Sequence, residues 1–238
     1  NKEIIVADDG STDRTSSIIA NTQRNESIIK VHTSLINLGK GAAVRFGLEY
    51  ATGDVIIIQD ADLELNPEEY VKLLEPILDG TADVVYGSRF MQKNPNIPII
   101  TRLANKFLTL LGNVIFSGGL TDMETAYKVF KNSVANQINL RSVGFEFDAE
   151  ITAKILLAGY KIHEVPITYN PRSKIEGKKL VKETGNTAAD KEATDINTAA
   201  DIDKESEEKM EIFLGLLRRV DQKVSILVFL MHLPPTPV

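Results

Sequence analysis

The 238-residue chain contains no cysteine and no tryptophan, and only 6% of its residues are aromatic. Without cysteine it forms no disulfide and offers no thiolate to a metal, so a metal site has to use oxygen or nitrogen ligands. No unbroken apolar stretch approaches the roughly 20 residues that a membrane-spanning helix needs. The lack of thiols agrees with a reducing compartment, and we expect the protein in the cytoplasm.

An excess of basic residues is also missing. The net charge is −6 at pH 7, and residues 181–209 carry nine acidic and four basic side chains. Proteins that bind nucleic acid usually present a basic face, so we expect no nucleic-acid partner. No segment, including Gly39–Gly41, matches the Walker phosphate-binding pattern, which argues against an ATPase.

Strand and helix signals alternate from the start of the chain, which predicts an α/β fold with a mostly parallel, twisted sheet flanked by helices. We expect one folded domain over residues 1–180. Residues 181–209 resemble an acidic linker of low complexity, with few large apolar side chains. Residues 210–238 form an apolar tail that charged residues interrupt, and we interpret it as an amphipathic helix that docks or lies at an interface.

Two apolar strands each lead directly into acidic residues, Glu3–Ala7 into Asp8 and Asp9, and Val55–Gln59 into Asp60. Ligands of open α/β sheets bind outside the carboxyl ends of the strands, so these acids are expected to face one crevice. An acidic crevice of this kind suits a hard cation such as Mg²⁺ or Mn²⁺ and a phosphorylated substrate.

The second acidic segment has the spacing of a cation site. Residues two apart in an extended turn point the same way, so Asp60 and Asp62 can meet one cation, and Glu64 is the candidate for a third metal ligand. The alternative is a polar strand end followed by a helix cap.

Several segments, in this order, resemble glycosyltransferase family 2, in the branch that contains dolichol-phosphate mannose synthase and bacterial polyprenyl-phosphate sugar transferases. The segments are Ile4–Asp13, Asn37–Ala42, Gln59–Glu64, Tyr86–Arg89, Thr121–Phe130, Phe145–Ile151 and Glu164–Arg172. The resemblance covers about residues 2–180. It implies a nucleotide-diphospho-sugar transferase (GT-A type) fold.

The resemblance also implies a function. It predicts an inverting transfer of a hexose from a nucleotide-sugar of the GDP-mannose or UDP-glucose type to a polyprenyl or dolichyl phosphate. The reaction would take place at the cytoplasmic face of a membrane, with peripheral membrane contact. Two alternatives remain open: an enzyme that glycosylates a saccharide hydroxyl, and a non-catalytic nucleotide-binding fragment.

Carried over by position, the family pattern assigns the donor site. Asp8 and Asp9 resemble the acids that hold the base and ribose, and Lys40 is assigned to the nucleotide-sugar. Asp60 and Asp62 resemble the catalytic pair that binds the nucleotide-sugar and a divalent metal on its diphosphate.

The family pattern also supplies basic residues. Arg172, with Lys178 and Lys179 nearby, resembles a flap that closes over the donor diphosphate. Arg89 and Arg102 resemble the pair that binds the acceptor phosphate, a task that suits the planar guanidinium.

Two further expectations concern Asp122 and the start of the chain. Asp122 is a candidate catalytic residue that either orients the acceptor or only caps a turn. Family members begin about 35 residues earlier, with a βα unit. We expect its absence to remove a central strand and to leave the edges of the neighbouring strands unpaired. The apolar stripe between Thr101 and Phe116 is expected to pack mostly on the sheet.

Overall fold

A computed structural model of the chain describes residues 2–62, 64–171 and 224–230, the last of these by backbone only. The described residues form one sheet, with strands β1 (Lys2–Asp8), β2 (Ile29–Thr33), β3 (Val55–Asp60), β4 (Val84–Ser88), β5 (Lys128–Lys131), β6 (Ile162–Pro166) and β7 (Val224–Leu230). The order is β2-β1-β7-β3-β5-β4-β6. All neighbours are parallel except the two pairs that include β5. The predicted mostly parallel sheet is confirmed.

Helices connect most of the strands. They are α1 (Thr15–Asn25), α2 (Lys40–Tyr50), α3 (Tyr70–Leu78), α4 (Ile99–Phe116), α5 (Asn132–Ala135) and α6 (Phe147–Leu157). The sequence order Asn66-Pro67-Glu68-Glu69 predicts a helix start that Asn66 caps. A 3-10 turn precedes α3 there, and the Asn66 side chain accepts a hydrogen bond from the backbone N–H of Glu68. Gly39 precedes α2 with φ 102°, a conformation that favours glycine.

The core lies against the middle of the sheet. Residues two apart on a strand share a face. Ile5 of β1 and Ile58 of β3 accordingly pack in one buried cluster with Val44 of α2 and with Phe147 and Ile151 of α6. Because β1 and β3 run in the same direction, this packing brings their acidic carboxyl ends to the same edge of the sheet.

Strand β7 lies where the sequence predicts neither a strand nor a partner. Its ladder with β1 runs from Lys2↔Val224 to Asp8↔Leu230, and its ladder with β3 runs from Val55↔Val224 to Asp60↔Phe229. The prediction of a helix within residues 210–238 is therefore wrong for Val224–Leu230, which form a strand. The prediction that the edges of β1 and β3 are unpaired is also wrong, because β7 pairs with both. A short apolar run does not distinguish strand from helix by periodicity.

The predicted boundaries at residues 180 and 209 lie outside the described residues and stay predictions. In the second half of the domain, the sequence predicts one strand over Thr125–Phe130 and an edge strand that contains Pro166, because proline cannot donate to a ladder. Strand β6, which contains Pro166, does lie at the sheet edge. The strand predicted over Thr125–Phe130 begins later, at Lys128, and is antiparallel to both neighbours.

Helix α4 exposes most of its apolar side chains, and the expectation that they pack on the sheet is wrong. Only Thr109 and Gly112 are buried. The apolar face of α4 is between 47% and 73% exposed and consists of Leu103, Phe107, Leu110, Leu111, Val114 and Ile115. Within the described part of the chain, α4 is the helix that is long and apolar enough to cross a membrane, by length and composition alone, with a mean hydropathy of 1.3.

Candidate active site at the carboxyl end of the sheet

The two acids that follow β1 are buried and bind the polypeptide itself. Asp8 accepts hydrogen bonds from the backbone N–H of Ser11 at 3.0 Å and from the hydroxyl of Ser16 at 2.7 Å. Asp9 accepts from the backbone N–H groups of Leu38 and Gly39 at 2.8 and 2.7 Å. These carboxylates therefore shape the two loops at this edge of the sheet. Their contact with a nucleotide stays a prediction.

A chain of buried charges begins at the end of β3. Lys40 Nζ lies 3.0 Å from Asp60 Oδ2 and 3.1 Å from Asp148 Oδ2. Lys128, which is fully buried in β5, donates from Nζ to Asp148 Oδ1 at 2.6 Å and to the carbonyl oxygen of Thr125. The four charged groups alternate in sign, so each buried charge has an opposite neighbour, which a buried ion needs.

The pKa values of the groups in this network follow from the alternation of positive and negative charges. Burial lowers the pKa of Lys40, but the nearby carboxylates of Asp60 and Asp148 outweigh burial and raise it above its ordinary value. Burial raises the pKa of Asp148, but Lys128 and Lys40 outweigh burial and hold it below its ordinary value. Lys40 therefore stays positive and Asp148 negative across the physiological pH range.

One carboxylate oxygen in this network lacks a partner. Asp60 Oδ1 is buried and has no hydrogen-bond partner within the described residues. Leaving a charged acceptor buried and unpaired costs more than about 1–3 kcal/mol, so this oxygen marks the position where a cation or a donor group would be stabilised. It lies at the carboxyl end of β3, where ligands of such sheets bind.

The residues at this edge fit a metal ion only when the phosphates of a substrate supply the rest of its ligands. The described residues contain no group of three or more His, Cys, Asp or Glu side chains that could hold a metal ion. Glu64 Oε2 accepts a hydrogen bond from the Tyr169 hydroxyl at 2.6 Å, and Asp62 Oδ1 accepts from the backbone N–H of Glu64 at 3.2 Å. The set of Asp60, Asp62 and Glu64 is therefore not assembled as a closed cage. Mg²⁺ is often held by one or two carboxylates together with substrate phosphates, and Asp60 with Asp62 fits that kind of site.

Arg89 and Asp122 form a two-point ion pair at the end of β4. Arg89 Nε and Nη2 donate to the two carboxylate oxygens of Asp122 at 2.7 and 2.8 Å, and the backbone N–H of Arg89 donates at 3.0 Å. Asp122 is fully buried. Both carboxylate oxygens of Asp122 bind Arg89 and so fix its guanidinium. The predicted orientation of the acceptor by Asp122, and its catalytic contact with substrate, stay predictions.

Asn94 joins the two arginines assigned to the acceptor. The side-chain amide of Asn94 donates to the backbone carbonyl oxygen of Arg89 at 2.7 Å. The backbone carbonyl oxygen of Asn94 accepts a hydrogen bond from Arg102 Nη2 at 2.8 Å. Arg102 Nε is buried and has no hydrogen-bond partner in the part of the chain that the structure describes. Arg102 therefore keeps a donor available at the start of α4.

The three basic residues predicted to close over the donor diphosphate lie outside the described residues, and their role stays a prediction: Arg172, Lys178 and Lys179. Four residues that belong to the site were not predicted from the sequence: Asn94, Lys128, Asp148 and Tyr169. A lysine inside an apolar strand, as in Tyr127–Phe130, was the one signal that indicates a buried charge partner.

A comparison with protein families identifies the chain. The model of the family described as "Glycosyl transferase family 2" matches residues 1–138. The chain belongs to glycosyl transferase family 2. This match includes both acidic strand ends, the Arg89–Asp122 pair and the two buried lysines.

The similarity of this chain to individual members of family 2 agrees with the branch that its sequence motifs resemble. The chain is 32% identical over 182 residues to a dolichol-phosphate mannosyltransferase of Pyrococcus furiosus, which covers 75% of this chain and 51% of that protein. It is 33% identical over 173 residues to the low-salt glycan biosynthesis hexosyltransferase Agl6 of Haloferax volcanii, covering 71% and 40%. The chain thus spans about half the length or less of these two relatives. The predicted resemblance is confirmed.

Solved structures confirm the GT-A fold. Glucosyl-3-phosphoglycerate synthase of Mycobacterium tuberculosis, in complex with Mn²⁺, UDP and glucosyl-3-phosphoglycerate, has a TM-score of 0.54 to this chain. The identity is 16%, and the superposition covers 73% of this chain and 63% of that one. At that identity the likeness establishes the fold of this family 2 member.

Proposed function

We propose that this chain transfers a hexose from a nucleotide-sugar to a polyprenyl or dolichyl phosphate, with inversion at the anomeric carbon, at the cytoplasmic face of a membrane. The observation that carries the proposal is the position of Arg102. It opens α4, is joined to Arg89 through Asn94, and is followed by the exposed apolar face of α4. A lipid phosphate needs both features together: guanidinium donors for the head group and an apolar surface for the chain.

The donor side of the proposal rests on the end of β3. Asp60, through its unpaired Oδ1, and Asp62 would hold a divalent cation, Mg²⁺ or Mn²⁺, together with the donor diphosphate. When bound, the cation would neutralise the negative charge that develops on the departing nucleoside diphosphate. The buried Lys40 holds the Asp60 carboxylate in place through a 3.0 Å ion pair with its Oδ2.

The acceptor explains why the site needs no strong general base. A phosphate oxygen is already anionic at neutral pH, whereas a sugar hydroxyl has to lose a proton to a carboxylate during attack. Asp122, the carboxylate beside the proposed acceptor arginines, has both oxygens bound to Arg89 at 2.7 and 2.8 Å, an arrangement that stabilises the ionised form and does not suit a general base. This geometry supports a phosphate rather than a saccharide hydroxyl as the nucleophile.

Replacing Arg102 by alanine tests the acceptor assignment. We expect the Michaelis constant for a short polyprenyl phosphate to rise about 10- to 100-fold, because a charge-assisted phosphate contact is worth about 1.5–3 kcal/mol. Binding of the nucleotide-sugar, measured by calorimetry, should stay within about twofold of the wild type. The measurement is a transfer assay with GDP-mannose and UDP-glucose as alternative donors.

The matched control is Lys106→Ala, which removes an exposed cation from the same helix and should leave both constants unchanged. Arg102→Lys keeps the charge but loses the planar fork, and we expect an intermediate effect. Equal losses of donor and acceptor binding in Arg102→Ala would place Arg102 in the donor site and contradict the assignment.

The apolar face of α4 is expected to bind membranes. In flotation with vesicles that contain anionic lipid, the wild type should float, and the double variant Phe107→Glu, Leu110→Glu should partition at least tenfold less. Both side chains are more than 60% exposed, so the fold should tolerate the changes. Each substitution removes apolar area whose burial in the bilayer interface would contribute about 1–2 kcal/mol to the binding free energy.

Val71→Glu serves as the control for the membrane experiment. Val71 lies on α3 and is 66% exposed, so the same chemical change is made on a different surface. It should float like the wild type. Undiminished flotation of the α4 double variant would show that another surface carries the membrane contact.

A further inference from the structure

Tyr169 lies between the two halves of the site. Its hydroxyl donates a 2.6 Å hydrogen bond to Glu64 Oε2, in the turn that carries the acids of the donor site. Its ring lies against Arg89, with the guanidinium carbon 5.3 Å from the ring centroid. One side chain thus touches a residue of the proposed donor side and a residue of the proposed acceptor side.

The backbone around Tyr169 is fixed to the same two elements. The N–H of Tyr169 donates to Asn94 Oδ1 at 3.1 Å, and the N–H of Asn170 donates to the carbonyl oxygen of Glu64 at 3.0 Å. Asn94 also binds the carbonyl oxygen of Arg89. The segment after β6 is therefore tied to the Asp62–Glu64 turn on one side and to the arginine segment on the other.

Arg89 has little freedom to adjust independently of Tyr169. Asp122 holds one edge of its guanidinium through the bidentate pair, and the Tyr169 ring packs against it. A cation over an aromatic ring is attracted by the negative face of the ring, and the attraction is stronger when the pair is partly desolvated. The Arg89 side chain is only 11% exposed, so its contact with Tyr169 is of this desolvated kind.

We propose that Tyr169 is a positioning residue that couples loading of the donor site to phosphate binding at Arg89. The inference rests on the proposed function, because it takes Asp60 and Asp62 as the donor end and Arg89 as the acceptor end. A cation and diphosphate at Asp60 and Asp62 fix the turn that carries Glu64, and the Glu64–Tyr169 hydrogen bond then fixes the ring against Arg89. Each ligand orders the same connection, so each binds more tightly when the other is present.

Calorimetry on the full chain measures this coupling directly. The probes are Mn²⁺ with UDP or GDP for the donor side, and geranyl phosphate for the acceptor side. In the wild type we expect the nucleotide–metal affinity to rise at least fivefold when geranyl phosphate is saturating. In Tyr169→Phe, which keeps the ring and loses the hydroxyl, each probe alone should bind within about twofold of the wild type, and the fivefold gain should disappear.

Two further variants separate the hydroxyl from the ring. Tyr169→Leu also removes the ring, so geranyl phosphate alone should bind about three- to tenfold more weakly. Tyr50→Phe removes a tyrosine hydroxyl from the half-exposed end of α2 and should keep the full fivefold gain.

The outcomes separate this inference from the proposed function. A Tyr169→Phe protein that keeps the fivefold gain overturns the coupling role, and so does a wild type that binds both probes independently, while the proposed function stands in both cases. A wild type that binds nucleotide and Mn²⁺ but no geranyl phosphate overturns the proposed acceptor, and the coupling with it.

Discussion

Replacing Ile226 by proline is expected to lower the unfolding free energy by about 3 kcal/mol or more, because proline has no N–H for the ladder and its ring clashes with the strand. Ile226 is paired with Ile4 of β1 on one side and with Ile57 of β3 on the other. For a domain of this size, a loss of that magnitude lowers the Tm by about 6–12 °C. Thermal unfolding followed by circular dichroism measures it.

The control for the proline experiment is Ala199→Pro, in the acidic segment where the sequence predicts no packed core. It should leave the Tm unchanged. A cysteine pair at Lys2 and Val224, whose Cα atoms are ladder partners, gives an independent test, because the chain has no other cysteine to confuse the cross-link. An unchanged Tm in Ile226→Pro, together with no cross-link, would show that β7 does not lie between β1 and β3 in solution.

Replacing Asp62 by asparagine is expected to lower the transfer rate by about three orders of magnitude, which corresponds to about 4 kcal/mol of transition-state stabilisation. The amide is a weak neutral ligand where a charged one is needed, but its oxygen still accepts the hydrogen bond from the backbone N–H of Glu64. The Tm should therefore stay within about 2 °C. The measurement is the initial rate in Mn²⁺, in Mg²⁺ and in excess chelator.

Asp60→Asn is the informative comparison for Asp62→Asn. It should lower the transfer rate by a similar factor, but it additionally weakens the buried ion pair with Lys40, so its Tm should fall by several degrees. Wild-type activity that persists undiminished in excess chelator would rule out the metal at both residues.

The elements that the sequence predicted well are those whose signals are local. The continuous apolar runs of β1 and β3 and the Asn66 cap depend on neighbouring residues alone, and the structure has them where they were expected. The exposed face of α4 and the strand β7 depend on what packs against them. An apolar helical stripe looks the same whether a sheet or a lipid surface faces it, and the seven-residue run of β7 fits either a helix or a strand.

The site shows the same division. Asp60 and Asp62 could be assigned from their place after a buried strand, and the arginines from the resemblance to the family. The contacts that organise them join residues far apart in sequence: Lys40 reaches Asp148 across 108 positions, and Tyr169 reaches Glu64 across 105. No periodicity or spacing in one sequence reports such pairs, and they follow only from the sheet order that brings their strands together.

The place of β7 in the sheet sets an order of events during synthesis. Translation adds about 5–20 residues per second, so β7 leaves the ribosome on the order of 10–45 s after β1. The ladders of β7 with β1 and β3 are therefore the last ladders of the described sheet that this chain can form. Pairing strands so far apart in sequence closes a long loop, so we expect closure of the middle of the sheet to be a slow step when the full chain refolds.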